Sequence, residues 1–105
     1  MKVLLDACVP RPLRKFLPNH TVHTAQEMGW GQLKNGALLK EAEPQLDSFI
    51  TTGQNLKYQQ KVVGRKLAIL VLPTNDWPTI RSKTDGIAAK LATLKPGDFV
   101  ELDWS

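Results

Sequence analysis

The sequence predicts an α/β fold, a three-layer sandwich built around a mostly parallel central sheet. Three observations lead there. Short runs rich in β-formers alternate along the chain with stretches whose apolar residues recur at three- and four-residue spacing, the pattern of parallel strands joined by crossover helices. One run, Leu67 to Leu72 (LAILVL), is apolar throughout, as expected for a strand covered on both sheet faces. Finally, 105 residues, 42% hydrophobic and 23% charged, suffice for one core and not two, so residues 1–105 read as a single domain.

The elements follow in order. Lys2 to Leu5 is a short apolar run closed by Asp6 and makes the first strand. Pro10, Arg11 and Pro12 open a segment in which Leu13, Phe16 and Leu17 fall at helical spacing, and Pro18 with Asn19 ends it. His20 to Thr24 alternates around Val22 and reads as a second, half-exposed strand. Gly29, Trp30 and Gly31 form a loop in which Trp30 is expected to plug the edge of the core. Asn35 is placed to cap a helix carrying Ala37, Leu38, Leu39 and Ala42, which Pro44 stops. Ser48 to Thr52, between Asp47 and Gly53, is the expected central strand, with Gly53 permitting a left-handed turn after it. Gln54 to Val63 reads as a polar helix, and LAILVL as a strand in mid-sheet. Trp77 to Leu94 carries Ile80, Ile87, Ala88, Leu91 and Leu94 at helical spacing and reads as one helix; Pro96-Gly97 then turns the chain into a last strand over Phe99 to Leu102.

Composition narrows the classes of function. No stretch approaches the roughly 20 apolar residues of a membrane span. The opening MKVLLDACVPRP has neither the apolar centre nor the cleavage site of an export signal. A cytoplasmic protein without a membrane partner is therefore expected. The single Cys8 cannot close an intramolecular disulfide and is expected to be a buried small side chain. A net charge of +4 and a pI near 9.4 suit an anionic partner.

In parallel sheets, ligands gather in the crevice beyond the carboxyl ends of the strands. Asp6 follows the first strand, and Gly53, Gln54 and Asn55 follow the central one. Acids at both places would hold Mg²⁺ or Mn²⁺, hard cations that take oxygen ligands and activate water for phosphodiester hydrolysis; only Asp6 is acidic. His20 and His23 are three apart on a strand, point to opposite faces and are set aside as ligands of one metal. Basic residues gather after the first strand (Arg11, Arg14, Lys15) and after the central one (Lys57, Lys61, Arg65, Lys66), the second group with Tyr58. Positive charge beside an aromatic ring suits single-stranded RNA.

The order MKVLLDACVPRPLRKFLP, HTVHTAQEMGWGQLKNGALLKEAE, FITTGQNLKYQQ and KLAILVL resembles, over most of the chain, the compact bacterial PIN-like domains related to VapC-type toxin ribonucleases. The resemblance implies a PIN-like three-layer fold, descent from Mg²⁺- or Mn²⁺-dependent ribonucleases of toxin–antitoxin systems, RNA as substrate, and pairing with a small antitoxin protein. Asp6 matches the first family acid, and Glu27 matches the acid of the ELGW-like segment; these two are the candidate catalytic and metal-binding residues. Ala7 stands where the branch usually carries Glu, Asn35 where it carries Asp, and Gly53 where the acid of the TTDRNL-like segment would stand. Lys57 and Tyr58 lie in a stretch similar to the family's NL-x-YQQ pattern, and with Arg11, Arg14, Lys61 and Arg65 they are the candidate RNA contacts. Glu41, Glu43 and Asp47 could replace a missing ligand only by folding over the crevice. So few carboxylates offset little of the cost of dehydrating Mg²⁺, and weak metal binding or none is expected. Two functions remain in view: a ribonuclease with a depleted acidic site, and a catalytically inactive PIN-like module that binds RNA or a protein partner. Apolar residues around Trp77 and Trp104 could serve a homodimer.

Overall fold

The computed structural model describes residues 1–33, 35–52 and 66–104, apart from the side chains of Asn35 and Gly36. Five strands, β1 (Lys2–Leu5), β2 (Thr21–Thr24), β3 (Ser48–Thr51), β4 (Ala68–Val71) and β5 (Phe99–Glu101), form one sheet in the order β2-β1-β3-β4-β5. Every neighbouring pair is parallel, with Val3 opposite Val22, Leu4 opposite Phe49, Ile50 opposite Leu70, and Leu70 opposite Val100. The helical elements among the described residues are a 3-10 helix (Arg11–Phe16), α1 (Asn35–Ala42), α2 (Trp77–Arg81) and α3 (Thr84–Thr93). Parallel neighbours cannot be joined by a tight turn, so each pair needs a crossover connection.

Alternation of side chains along the strands divides the interior into two cores. Val3, Leu5, Ile50 and Leu70 pack with Leu13 and Leu17 from the 3-10 helix region, Ile80 from α2, and Ile87 and Leu91 from α3. The second core joins Leu4, Phe49, Ile69 and Val71 to Leu38, Leu39 and Ala42 of α1. Each fully buried Leu, Ile or Phe contributes on the order of 1.5–3 kcal/mol relative to exposure. β3 and β4 are buried at every position, as the unbroken apolar run requires. β3 is the central strand; LAILVL supplies β4, an interior strand one place from the centre.

Several expectations are corrected. The segment after β1 is a 3-10 helix: Pro12 lies in its first turn, and the chain closes with three-residue steps such as Leu13 N–H to Pro10 O (3.2 Å) and Leu17 N–H to Arg14 O (3.1 Å). In that tighter winding Leu13 is buried while Phe16 stays 36% exposed. The helix expected from Trp77 to Leu94 is two helices. Ser82 interrupts it, its hydroxyl donating to the Thr79 carbonyl at 2.7 Å, and the Thr84 hydroxyl donates to the Arg81 carbonyl at 3.2 Å; hydroxyls that bind nearby backbone compete with the helical ladder. Cys8 is exposed, because the chain turns outward immediately after Asp6. Trp30 does pack, partly buried, against the second core. Gly97 takes φ 85° in the turn that delivers β5. No helix among the described residues is long and apolar enough to cross a membrane. The helix expected over Gln54 to Val63 and the turn at Gly53 lie outside the described residues.

Candidate functional site

The chain runs from β1 to β2 on one side and then crosses to β3 on the other, so the sheet order reverses between β1 and β3. A crevice opens at such a switch point, beyond the carboxyl ends of the strands. Asp6 sits there. Its N–H continues the ladder to the Ile50 carbonyl at 3.0 Å, which fixes its position next to the end of β3. One carboxylate oxygen accepts from the Ala7 N–H at 2.8 Å and the other from the Thr51 hydroxyl at 2.7 Å. Thr51 is buried, so the contact ties an interior hydroxyl to a half-exposed acid. Cys8 completes the group: its sulfur lies 3.6 Å from the same Asp6 oxygen and accepts from the Thr52 hydroxyl at 2.9 Å.

Glu27 follows β2 at the same edge, since the Ala25 N–H extends the pairing to the Leu5 carbonyl at 2.9 Å. The contacts of its carboxylate fall on one oxygen, Oε1. It accepts from the Thr24 N–H at 2.9 Å, while the Glu27 N–H donates to the Thr24 hydroxyl at 3.2 Å. This reciprocal pair has the logic of a capping box. The same carboxylate pairs with the Arg14 guanidinium, an exposed contact worth about 0–1 kcal/mol. Asp6 and Glu27 thus share an edge without sharing a partner, and Arg14 is engaged by an acid.

No family model, curated protein or solved structure matches the chain. Asp76, which the sequence reading did not single out, follows β4 at the carboxyl edge. It is the N-cap of α2, accepting from the Thr79 N–H at 3.1 Å and the Thr79 hydroxyl at 2.6 Å; these bonds hold its carboxyl below the usual range. The signal was legible as an Asp just ahead of a Pro in a first helical turn. Asp76 thus uses its carboxylate to cap α2. Asp47 lies at the opposite edge, where it accepts from the Lys2 N–H at 2.7 Å, and Glu41 and Glu43 at the end of α1 precede it there. None of the three lies over the crevice.

The donor set that the described residues bring to Asp6 is poor in carboxylates for Mg²⁺ or Mn²⁺. No group of three His, Cys, Asp or Glu side chains able to hold an ion occurs among the described residues. Residues 53–65, GQNLKYQQKVVGR, contain no acid that could add a carboxylate. Lys57, Tyr58, Lys61, Arg65 and Gly53 lie outside the described residues, as does the side chain of Asn35. Arg11 and Lys15 are exposed on the 3-10 helix. His20, just ahead of β2, has its Nδ1 3.4 Å from the N-terminal ammonium; burial, then that positive charge, lowers its pKa below 6.5. A cavity of about 620 Å³ opens at the amino edge between Lys2, Asp47, Lys66 and Lys95, away from Asp6.

Proposed function

We propose that this chain is a catalytically inactive PIN-like module, a three-layer domain related to VapC-type toxins of toxin–antitoxin systems, which binds RNA without cleaving it efficiently. The observation that carries the reading is Asp6, the one carboxylate that the described residues place at the switch point, held by Thr51 and Ala7, while Oε1 of Glu27 meets Thr24 and Arg14. The all-parallel sheet, the cores on both its faces and the motif order of the sequence support the PIN-like assignment. A positive balance of +4 and exposed Arg11 and Lys15 support an anionic polymer as ligand. A small antitoxin protein is the partner that the resemblance implies. Fold and chemistry separate readily, because activity lives in a site and not in a scaffold.

The test is calorimetric titration of Mn²⁺ and Mg²⁺ into the protein, with Asp6→Asn alongside, and RNA binding measured in parallel. The inactive module gives no saturable metal binding up to millimolar concentrations, and RNA affinity that falls steeply with salt. Restoring the acids together, Ala7→Glu, Asn35→Asp and Gly53→Asp, raises metal affinity. Micromolar binding of Mn²⁺ to the natural chain, abolished by Asp6→Asn, would replace this reading with that of a working metal-dependent ribonuclease.

A further inference from the structure

On the face of the sheet that carries the first core, two aromatic rings from distant parts of the chain meet. Phe16 ends the 3-10 helix and Trp77 begins α2; their centroids are 5.9 Å apart and their planes tilted by 50°. The two rings play different structural parts. Trp77 is half-buried and packs against the first core, which fixes it. Phe16 belongs to neither core and is 36% exposed, so its ring faces water while supported from one side by an anchored indole. Beside it lies a depression of about 330 Å³ lined by Phe16, Pro78, Arg81 and Ser82. It therefore combines an aromatic wall, a proline ring, a guanidinium and a hydroxyl.

Charge surrounds this depression. Arg81 lies in its wall, and Arg11 and Lys15 are exposed on the 3-10 helix that carries Phe16. A supported, water-facing ring beside a guanidinium is the arrangement that receives an unstacked base, with the cations following the phosphates. A duplex offers no such base.

We infer that Phe16, backed by Trp77 and flanked by Arg81, is a base-stacking subsite for single-stranded RNA. The inference rests on the RNA-binding reading above and specifies where a base sits. It is tested by fluorescence anisotropy with a labelled single-stranded oligoribonucleotide and the same sequence in a duplex, at about 50 mM salt and above. Phe16→Ala is expected to weaken single-strand binding about 5- to 150-fold, the range for loss of one stacked base, with little change in the salt slope. Phe16→Tyr restores it, and Arg81→Ala lowers the salt slope by about one phosphate contact. A cooperative thermal melt, lowered in Phe16→Ala by the lost contact with Trp77, verifies that these variants fold. If the natural chain binds single strands and Phe16→Ala binds them equally well, the subsite is refuted while the RNA reading stands. If the natural chain binds no RNA at the lowest salt, both fall. A Phe16→Ala chain that keeps its RNA affinity but loses a co-purifying protein would assign the depression to that protein instead.

Discussion

The contact between Thr51 and Asp6 makes a quantitative prediction, because it joins a buried hydroxyl to the only acid at the switch point among the described residues. Thr51→Val keeps the β-branched shape inside β3 and removes the donor. Asp6 then loses a bond of 2.7 Å of the charge-assisted class, worth about 1.5–3 kcal/mol. Asp6 is half-exposed, so water recovers part of this, and a net loss of about 1–2 kcal/mol is expected. For a domain of this size, each kcal/mol lowers the melting temperature by about 4–8 °C. A double-mutant cycle isolates the pair: urea unfolding of the natural chain, Thr51→Val, Asp6→Ala and the double variant should give a coupling energy of about 1 kcal/mol or more. A coupling below about 0.3 kcal/mol, the scatter expected of independent sites, would mean that Asp6 is not held by β3, and its description as a positioned carboxylate would be wrong.

Three further predictions concern the rest of the molecule. Cys8 is exposed and should react stoichiometrically with a thiol reagent in the native state; labelling that requires denaturant would restore the buried assignment. Gly97→Ala forces a left-handed residue with φ 85° onto an L side chain, at a cost of about 1–2 kcal/mol, and should lower the melting temperature without altering the denaturant slope. The Asp76 carboxyl is held below its usual value of 3.8, so its contribution is present above that pH and lost as pH falls through the depressed folded value. Asp76→Ala should therefore be less stable than the natural chain at neutral pH, with the difference shrinking in acid below about pH 4. A gap that stays constant from pH 7 to pH 2 would show that the charge does not contribute.

Much of the fold was legible because burial and sequence speak the same language in a parallel sheet. LAILVL announces a strand buried on both faces, and Ala68–Val71 is buried throughout; Lys2 to Leu5 and the helix from Asn35 to Ala42 were equally plain. What failed was local chemistry acting against periodicity. Leu13, Phe16 and Leu17 keep a helical spacing, yet prolines and three-residue hydrogen bonds wind them more tightly and leave Phe16 outside. Ile80, Ile87 and Leu91 share one periodic stripe across a break that is set by the hydroxyls of Ser82 and Thr84. At the site, Asp6 was placed correctly by its position after β1. Glu27 was read through a resemblance, although Thr24-Ala25-Gln26-Glu27 spells a capping box and announces its partner. Cys8 was misjudged because small apolar character says nothing about which way a turn faces.

The strand order also bears on how the chain reaches its native state. β1 comes first among the strands of the sheet, yet its neighbours are residues 21–24 on one side and 48–51 on the other. With every pair parallel, the described sheet contains no hairpin and therefore no local pairing to start from. Each rung of the ladder must await a crossover, and the entropy of closing it is spent before any contact forms. Val3, Leu4 and Leu5 precede in the chain both strands that flank them, and the face of Leu4 waits for α1 and β3. That interval exposes an apolar strand to other chains, so slow refolding and aggregation at high concentration are the expected companions of this topology.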